Sequence, residues 1–132
     1  MTMVPESQRL LEAMVAAYPT YVRSRLPATP EGIDDVLAQG AAWLRTTLTD
    51  LLALPFAEQR RGPLEVFQEA MRFPTEALRQ AGVEPSRRDP VSETALPGDV
   101  YGLAPASSRD LGEEIWMIHL TWGATKASAL TS

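Results

Sequence analysis

The chain contains no cysteine among its 132 residues. Disulfides, thiolate metal sites, iron–sulfur clusters and a cysteine nucleophile are therefore excluded, and the folded state must rest on its hydrophobic core. Histidine and lysine occur once each, as His119 and Lys126. Apolar residues make up 45% of the chain and charged residues 22%. This composition is ordinary for a globular protein and too apolar for a disordered one.

Long hydrophobic runs are also missing. The first residues, Met-Thr-Met-Val-Pro-Glu, lack the features of a secretory signal, and no stretch approaches the roughly 18 to 20 apolar residues that span a bilayer. The net charge is −5, and the arginines form isolated pairs instead of a basic stripe. We therefore expect a cytoplasmic protein that binds neither nucleic acid nor membranes. The excess of arginine over lysine is typical of a GC-rich bacterial genome.

Hydrophobic periodicity predicts two helices in the first half of the chain. The first begins at Pro5, and Pro19 should break or kink it, which leaves residues 21–26 as a short turn or a loop. The second begins at Thr29-Pro30-Glu31, which supplies a capping hydroxyl, a proline and a carboxylate, and it ends near Leu54. Its apolar stripe is the strongest in the chain and consists of Ile33, Leu37, Gly40, Leu44, Thr47 and Leu51.

A third helix is predicted from Gly62-Pro63 to Gly82. Pro74 should bend it, or Phe73-Pro74 should separate two shorter helices. Residues 83–108 then lose the helical pattern, because four prolines and two glycines punctuate the segment. We interpret it as an irregular connector that wraps across the bundle through spaced apolar contacts, the alternative being a mobile linker.

The last predicted helix runs from about Leu111 to Ala127 and is introduced by Asp110-Leu-Gly-Glu113, which resembles a capping box. A buried strand over Ile115–Trp122 is the competing interpretation, because a short apolar run fits both structures. No partner strand is evident, which favours the helix. Residues 128–132 are expected to be a frayed tail.

These elements predict an all-α fold: one domain over residues 1–132, built as a small bundle of four to five helices. A long irregular connector punctuated by proline and glycine precedes the last helix. No metal and no cofactor are expected. The predicted core consists of Leu11, Met14, Val15, Ile33, Leu37, Leu44, Leu48, Leu51, Phe67, Met71, Leu78, Ile115, Ile118 and Trp122.

Aromatic residues provide the candidate contacts to a partner or ligand. Trp122 lies on an apolar stripe and should be buried, whereas Trp43 and Trp116 each lie one position off theirs and are candidates for an interface. Tyr101, in the connector, is a further candidate contact.

His119 is the one side chain whose ordinary pKa is near neutrality, so it is a candidate contact residue as well. A half-buried histidine at the edge of an apolar face explains it more simply. Glu65 and Glu69 lie one helical turn apart, but no Glu-x-x-His element completes a metal site, and a solvated helix face explains them. No catalytic residue is predicted.

Three functions remain open at this point. The preferred one is a non-enzymatic helical module for protein–protein interaction, either a homodimer or an adaptor that binds another protein. The second is a small-ligand sensor whose pocket is lined by Trp43, Met71, Trp116 and His119. The third and least favoured is an enzyme in which His119 works with Glu65, Glu69 or Asp99.

Overall fold

The computed structural model describes residues 3–85 and 96–131. Within these ranges the chain is all-helical, without a strand, which confirms the predicted helical bundle. Across the same residues, no helix is both long and apolar enough to span a membrane. The five α-helices are α1 (Pro5–Arg25), α2 (Ile33–Leu52), α3 (Pro63–Glu69), α4 (Arg72–Gln80) and α5 (Glu113–Thr131). Short 3-10 turns lie at Phe56–Glu58, Asp99–Tyr101 and Ser108–Leu111.

The main helix contacts run from α5 to α1, from α1 to α2, and from α2 to α3 and α4. Helix α1 is therefore central, and α5 lies at one edge of the bundle. The buried apolar residues form one continuous cluster. Two members of the predicted core, Val15 and Ile118, are only half-buried and pack against it. Prediction missed several buried residues, namely Leu10, Tyr18, Tyr21, Val22, Leu52, Val66, Ala70, Tyr101 and Leu103.

Helix α1 continues through Pro19 to Arg25, so the predicted break there is wrong. A proline in a helix interior costs about 3 kcal/mol. Burial offsets this cost, because Tyr18 before the proline and Tyr21 and Val22 after it are all packed in the core. The Tyr21 hydroxyl also donates a hydrogen bond of 2.6 Å to the carbonyl of Leu103, which anchors the end of the helix.

The third predicted helix is divided in two, as in the second of the two alternatives, but the division lies at Ala70-Met71 instead of at Phe73-Pro74. Pro74 explains the shift, since a proline removes the hydrogen bond to the carbonyl four residues earlier, which belongs to Ala70. The Tyr18 hydroxyl donates to this carbonyl at 2.7 Å. A side chain of α1 thus satisfies the acceptor that Pro74 leaves open.

Two helix starts differ from the prediction. Helix α2 begins at Ile33, because Gly32 has a positive φ of 79° and Glu31-Gly32 form a turn. Helix α5 begins at Glu113, because Gly112 has a φ of 116° and separates it from the 3-10 turn that starts at Ser108. Asp110 caps that turn by accepting hydrogen bonds from the amides of Ala106 and Ser107.

The described part of the connector, residues 83–85 and 96–108, packs on the bundle. Tyr101 and Leu103 are buried, and the Tyr101 hydroxyl donates to the carbonyl of Val83 at 2.8 Å. Gln68 donates to the carbonyl of Pro105. These contacts favour the wrapping interpretation over a mobile linker, while residues 86–95 of the connector lie outside the described residues.

The chain end also differs from the prediction. Residues 128–131, expected to form a frayed tail, are the last turn of α5. The Thr131 hydroxyl donates to the carbonyl of Ala127 within this turn. No proline or glycine follows Gly123, so no residue type after it ends the helix.

Candidate functional site

Helix α5 is apolar on both of its long sides. From Ile115 to Thr131 it contains one charged residue, Lys126. Its inner side packs on α1 and on the 3-10 turns at Ser108–Leu111 and Phe56–Glu58. Its outer side is exposed, and of the five exposed large hydrophobic side chains in the described residues, three belong to α5: Met117, Leu120 and Leu130.

The inner side is held by Trp122 and Ile115, which are both buried. The Trp122 indole N–H donates to the buried Ser7 hydroxyl at 3.0 Å, and its ring meets Phe56 edge-on at 6.2 Å between ring centres. The Lys126 amine lies 5.2 Å from the centre of the Trp122 ring. The one cation of the helix is therefore directed towards the inner side.

The outer side forms a regular seam. Its residues are separated alternately by four and three positions. In coiled coils this spacing places side chains on one face of a helix. Every member is exposed, and exposure is 54% at Met117 and 48% at Leu120. We call this surface the outer seam, and it consists of Glu113, Met117, Leu120, Ala124, Ala127 and Thr131.

Trp116, a predicted interface residue, borders the outer seam. It is half-buried, and the guanidinium of Arg109 lies 5.0 Å from the centre of its ring. The ring therefore remains accessible beside Met117. The predicted contact of Trp116 with a partner stays a prediction, and the sequence prediction did not include Met117 and Leu120. Their signal was present in the sequence, since a helix with no charge between Glu114 and Lys126 has no polar outer face.

His119 lies at the border between α5 and the turn before it. Its Nδ1 atom is 2.7 Å from the hydroxyl oxygen of Ser108, which is buried, and its ring packs beside Trp122 at 5.8 Å between ring centres. Burial lowers the pKa of His119 below its ordinary value. The imidazole is therefore neutral at neutral pH and joins the connector to the helix.

Two of the three carboxylates proposed for an enzyme, Glu69 and Asp99, have other partners. Glu69 pairs with Arg61, and Asp99 accepts a hydrogen bond from the amide of Leu96. In the described part of the chain, His119 has no carboxylate hydrogen-bonded to it, and no group of histidine and acidic side chains is arranged to hold a metal ion. The Ser108–His119 pair thus lacks the third group that orients the base in nucleophilic sites.

Trp43, the other predicted interface tryptophan, lies on the opposite side of the bundle. It is half-buried on α2 and packs against Phe73 of α4, with 6.0 Å between ring centres. Met71, expected to share a pocket with it, is fully buried in the core. The contacts of Trp43 are with α4, whereas those of Trp116 and His119 are with residues near α5. The predicted four-residue pocket is therefore not assembled.

Tyr101, the fourth candidate contact, is a core residue. It is 5% exposed, and its hydroxyl donates a hydrogen bond to the carbonyl of Val83. The prediction that it contacts a partner is corrected, because the connector packs on the bundle and uses Tyr101 as one of its apolar anchors.

Compared with known proteins, the chain matches no family model, no curated protein and no solved structure. Inferences about function therefore rest on the geometry of the outer seam and of the residues around Trp43.

Proposed function

We propose that this protein is a non-enzymatic helical interaction module that acts as a cytoplasmic homodimer, joined through the outer seam of α5. The observation that carries the proposal is the exposure of Met117 and Leu120, at 54% and 48%, on a helix face that has no charged residue after Glu113. Large apolar side chains that share one helix face are normally covered by another element or by a partner. Here α5 is buried on its inner side only.

A second copy of the chain suits the outer seam because the seam is complementary to itself. Its first half carries the large side chains Met117 and Leu120, and its second half carries the small ones, Ala124 and Ala127. Two antiparallel copies can be related by a twofold axis that crosses the outer seam at the level of residue 122. This arrangement would place Met117 opposite Ala127 of the second copy, and Leu120 opposite Ala124. Large side chains then fill the space over small ones, as an isologous interface requires.

Charge favours this partner over a membrane or a nucleic acid. The chain carries a net charge of −5, and the outer seam begins with Glu113 and contains no cation. Anionic lipid and nucleic acid both attract basic surfaces. A second α5 presents an uncharged surface over most of the seam instead.

The test is the mass of the purified chain in solution, measured by sedimentation equilibrium over a wide concentration range. We expect a dimer of twice the 14.5 kDa chain mass. Leu120→Glu should raise the dissociation constant roughly 100-fold, because it buries an unpaired carboxylate in the interface. Leu54→Glu is the matched control, since Leu54 is similarly exposed at 43% but lies before the Phe56–Glu58 turn, away from the seam. It should leave the mass unchanged.

The orientation of the two helices can be tested with single cysteines, because the chain has none of its own. In the antiparallel pair, the two copies of residue 124 are separated by about 6 Å along the helix axis, and those of residue 131 by about 27 Å. A short bifunctional thiol reagent should therefore join Ala124→Cys chains and not Thr131→Cys chains. Joining of both would contradict the antiparallel arrangement, and a monomer at every concentration would contradict the homodimer. A monomer that loses a defined protein partner on Leu120→Glu would favour the adaptor alternative.

A further inference from the structure

A cleft of about 390 Å³ lies between α2 and α4, on the side of the bundle away from α5. Val36 and Gln39 line it from α2, and Arg72, Phe73, Glu76 and Ala77 line it from α4. Its volume falls within the range of small-ligand sites. Three of its lining residues are apolar and three are polar or charged, so it offers both apolar contact surface and groups that can orient a ligand.

Arg72 is held in place by two aromatic rings. The central carbon of its guanidinium lies 4.2 Å from the centre of the Trp43 ring and 4.6 Å from the centre of the Phe73 ring. Contact with both rings restricts a side chain that is otherwise flexible. The guanidinium is therefore arranged before any ligand arrives, which lowers the entropic cost of binding.

The charge of Arg72 is not neutralised within the described residues, where it forms no ion pair. Glu76, one helical turn further along α4, accepts hydrogen bonds from Arg79 and Gln80 instead. Arg23, Arg45, Arg61 and Arg79 each pair with a carboxylate, whereas the contacts of Arg72 are with the two rings. A guanidinium oriented by rings, at the wall of a partly apolar cleft, is suited to a planar oxyanion.

We propose that the α2–α4 cleft binds a monocarboxylate attached to an aromatic or other apolar group. Arg72 would pair with the carboxylate, and Val36, Phe73 and Ala77 would contact the apolar group. A single cation with the Glu76 carboxylate on the same wall favours a singly charged anion over a phosphate dianion. The proposal is independent of the homodimer, because the cleft and the outer seam share no residue. It retains Trp43 from the predicted ligand pocket, now with Phe73 and Arg72 as its neighbours.

The carboxylate has two chemical sources, a free aromatic acid or the C-terminus of a peptide that ends in an aromatic residue. Both are tested by titrating the full chain and following the indole N–H of Trp43 by NMR. The probes are 3-phenylpropionate, its neutral amide 3-phenylpropanamide, and N-acetylphenylalanine as the peptide end. We expect saturable shifts with an acid, and binding of the amide weaker by roughly tenfold or more. Preference for N-acetylphenylalanine would identify a peptide end, and preference for 3-phenylpropionate a free acid.

Arg72→Gln should abolish binding of the acids, and because Arg72 is exposed, the variant should keep the circular dichroism spectrum of the wild type. Arg79→Gln is the matched control, since Arg79 is an exposed arginine on the same helix that does not line the cleft. It should bind as the wild type does. The proposal is overturned if neither acid gives a saturable shift, if the amide binds equally well, or if Arg72→Gln binds unchanged.

Discussion

At Gly40 the absence of a side chain is a packing requirement. A Cβ atom at this position would lie 2.2 Å from the Tyr18 hydroxyl oxygen and within 3 Å of the ring. Tyr18 is fixed there, because it is fully buried and its hydroxyl donates to the carbonyl of Ala70. Burial raises the pKa of the Tyr18 phenol well above its ordinary value, so the group stays a donor. The sequence showed Gly40 as a member of an apolar stripe, and only the structure explains why it is glycine.

Gly40→Ala should lower the free energy of unfolding by roughly 1–3 kcal/mol, because overpacking outweighs the gain in helix propensity. Gly123→Ala is the control, since nothing lies within 4 Å of its missing Cβ. It should raise the free energy of unfolding by up to about 1 kcal/mol. Urea denaturation at low protein concentration measures both. In a Tyr18→Phe background the cost of Gly40→Ala should shrink, and an unchanged cost would contradict the assigned contact.

His119 should make stability depend on pH. Burial lowers its pKa in the folded chain, whereas the unfolded chain has the ordinary value of about 6.5. Below pH 6.5 the unfolded chain therefore binds a proton more readily, so the contribution of His119 is complete above that pH and is lost as the pH falls through the folded pKa.

The measurement is the free energy of unfolding of the wild type and of His119→Asn between about pH 8 and pH 5. We expect the stability of the wild type relative to this variant to fall as the pH is lowered. Ser108→Ala removes the hydrogen-bond partner but keeps the histidine, so it should retain the pH dependence. Parallel curves for the wild type and His119→Asn would show that the burial of the imidazole has no energetic consequence.

At the scale of elements, two prolines in helical sequence have different outcomes. Pro74 is the third residue of α4, just after the division at Ala70-Met71, and the carbonyl it leaves open at Ala70 accepts a hydrogen bond from Tyr18. Pro19 remains inside α1, where the missing amide leaves the carbonyl of Val15 without its helical donor. At both positions the proline lacks the amide that would donate to the carbonyl four residues earlier. Buried residues follow both prolines, and the difference is one of position: Pro74 lies in the first turn of α4, where amides have no helical acceptor, whereas Pro19 lies in the interior of α1.

Pro19→Ala should therefore raise the free energy of unfolding by about 1–2 kcal/mol, because it restores one helical hydrogen bond and gives up some rigidity of the unfolded chain. Pro5→Ala is the control, since Pro5 is the first residue of α1 and no helical bond is missing there. It should give no gain. Thermal and urea unfolding measure the difference, and a destabilised Pro19→Ala would show that the proline ring itself contributes packing.

At the scale of the whole molecule, hydroxyl groups join segments that are distant in sequence. Tyr21 reaches Leu103 across 82 positions, and Trp122 reaches Ser7 across 115. These bonds hold the connector and α5 against α1. Helix α5 lies at the edge of the bundle and is covered on one side only. Its outer seam is therefore exposed to solvent.

Much of the fold was predictable from periodicity alone. Helix α2 was predicted within a few residues, because Leu37, Leu44 and Leu48 repeat at helical spacing and become the core. Helix α5 was predicted as a helix and not a strand because the sequence offers no partner strand, since the apolar run over residues 115–122 fits both structures. The candidate site was predicted only in part. Trp116 and Trp43 were predicted as candidate interface residues. The residues that contact them, Arg109 for Trp116 and Arg72 with Phe73 for Trp43, lie on other elements, and local spacing does not predict such contacts.

The sequence by itself determined that the chain is helical and where its apolar faces lie, because both depend on spacing within one segment. It also excluded all chemistry of cysteine. The tertiary structure decided which faces are covered, because coverage depends on contacts between segments far apart in the chain. Tertiary packing buries Tyr101 and stabilises α1 as one helix through Pro19. It also places the guanidinium of Arg72 over two aromatic rings. It also leaves Met117 and Leu120 in solvent on a helix whose sequence alone would place it in a core.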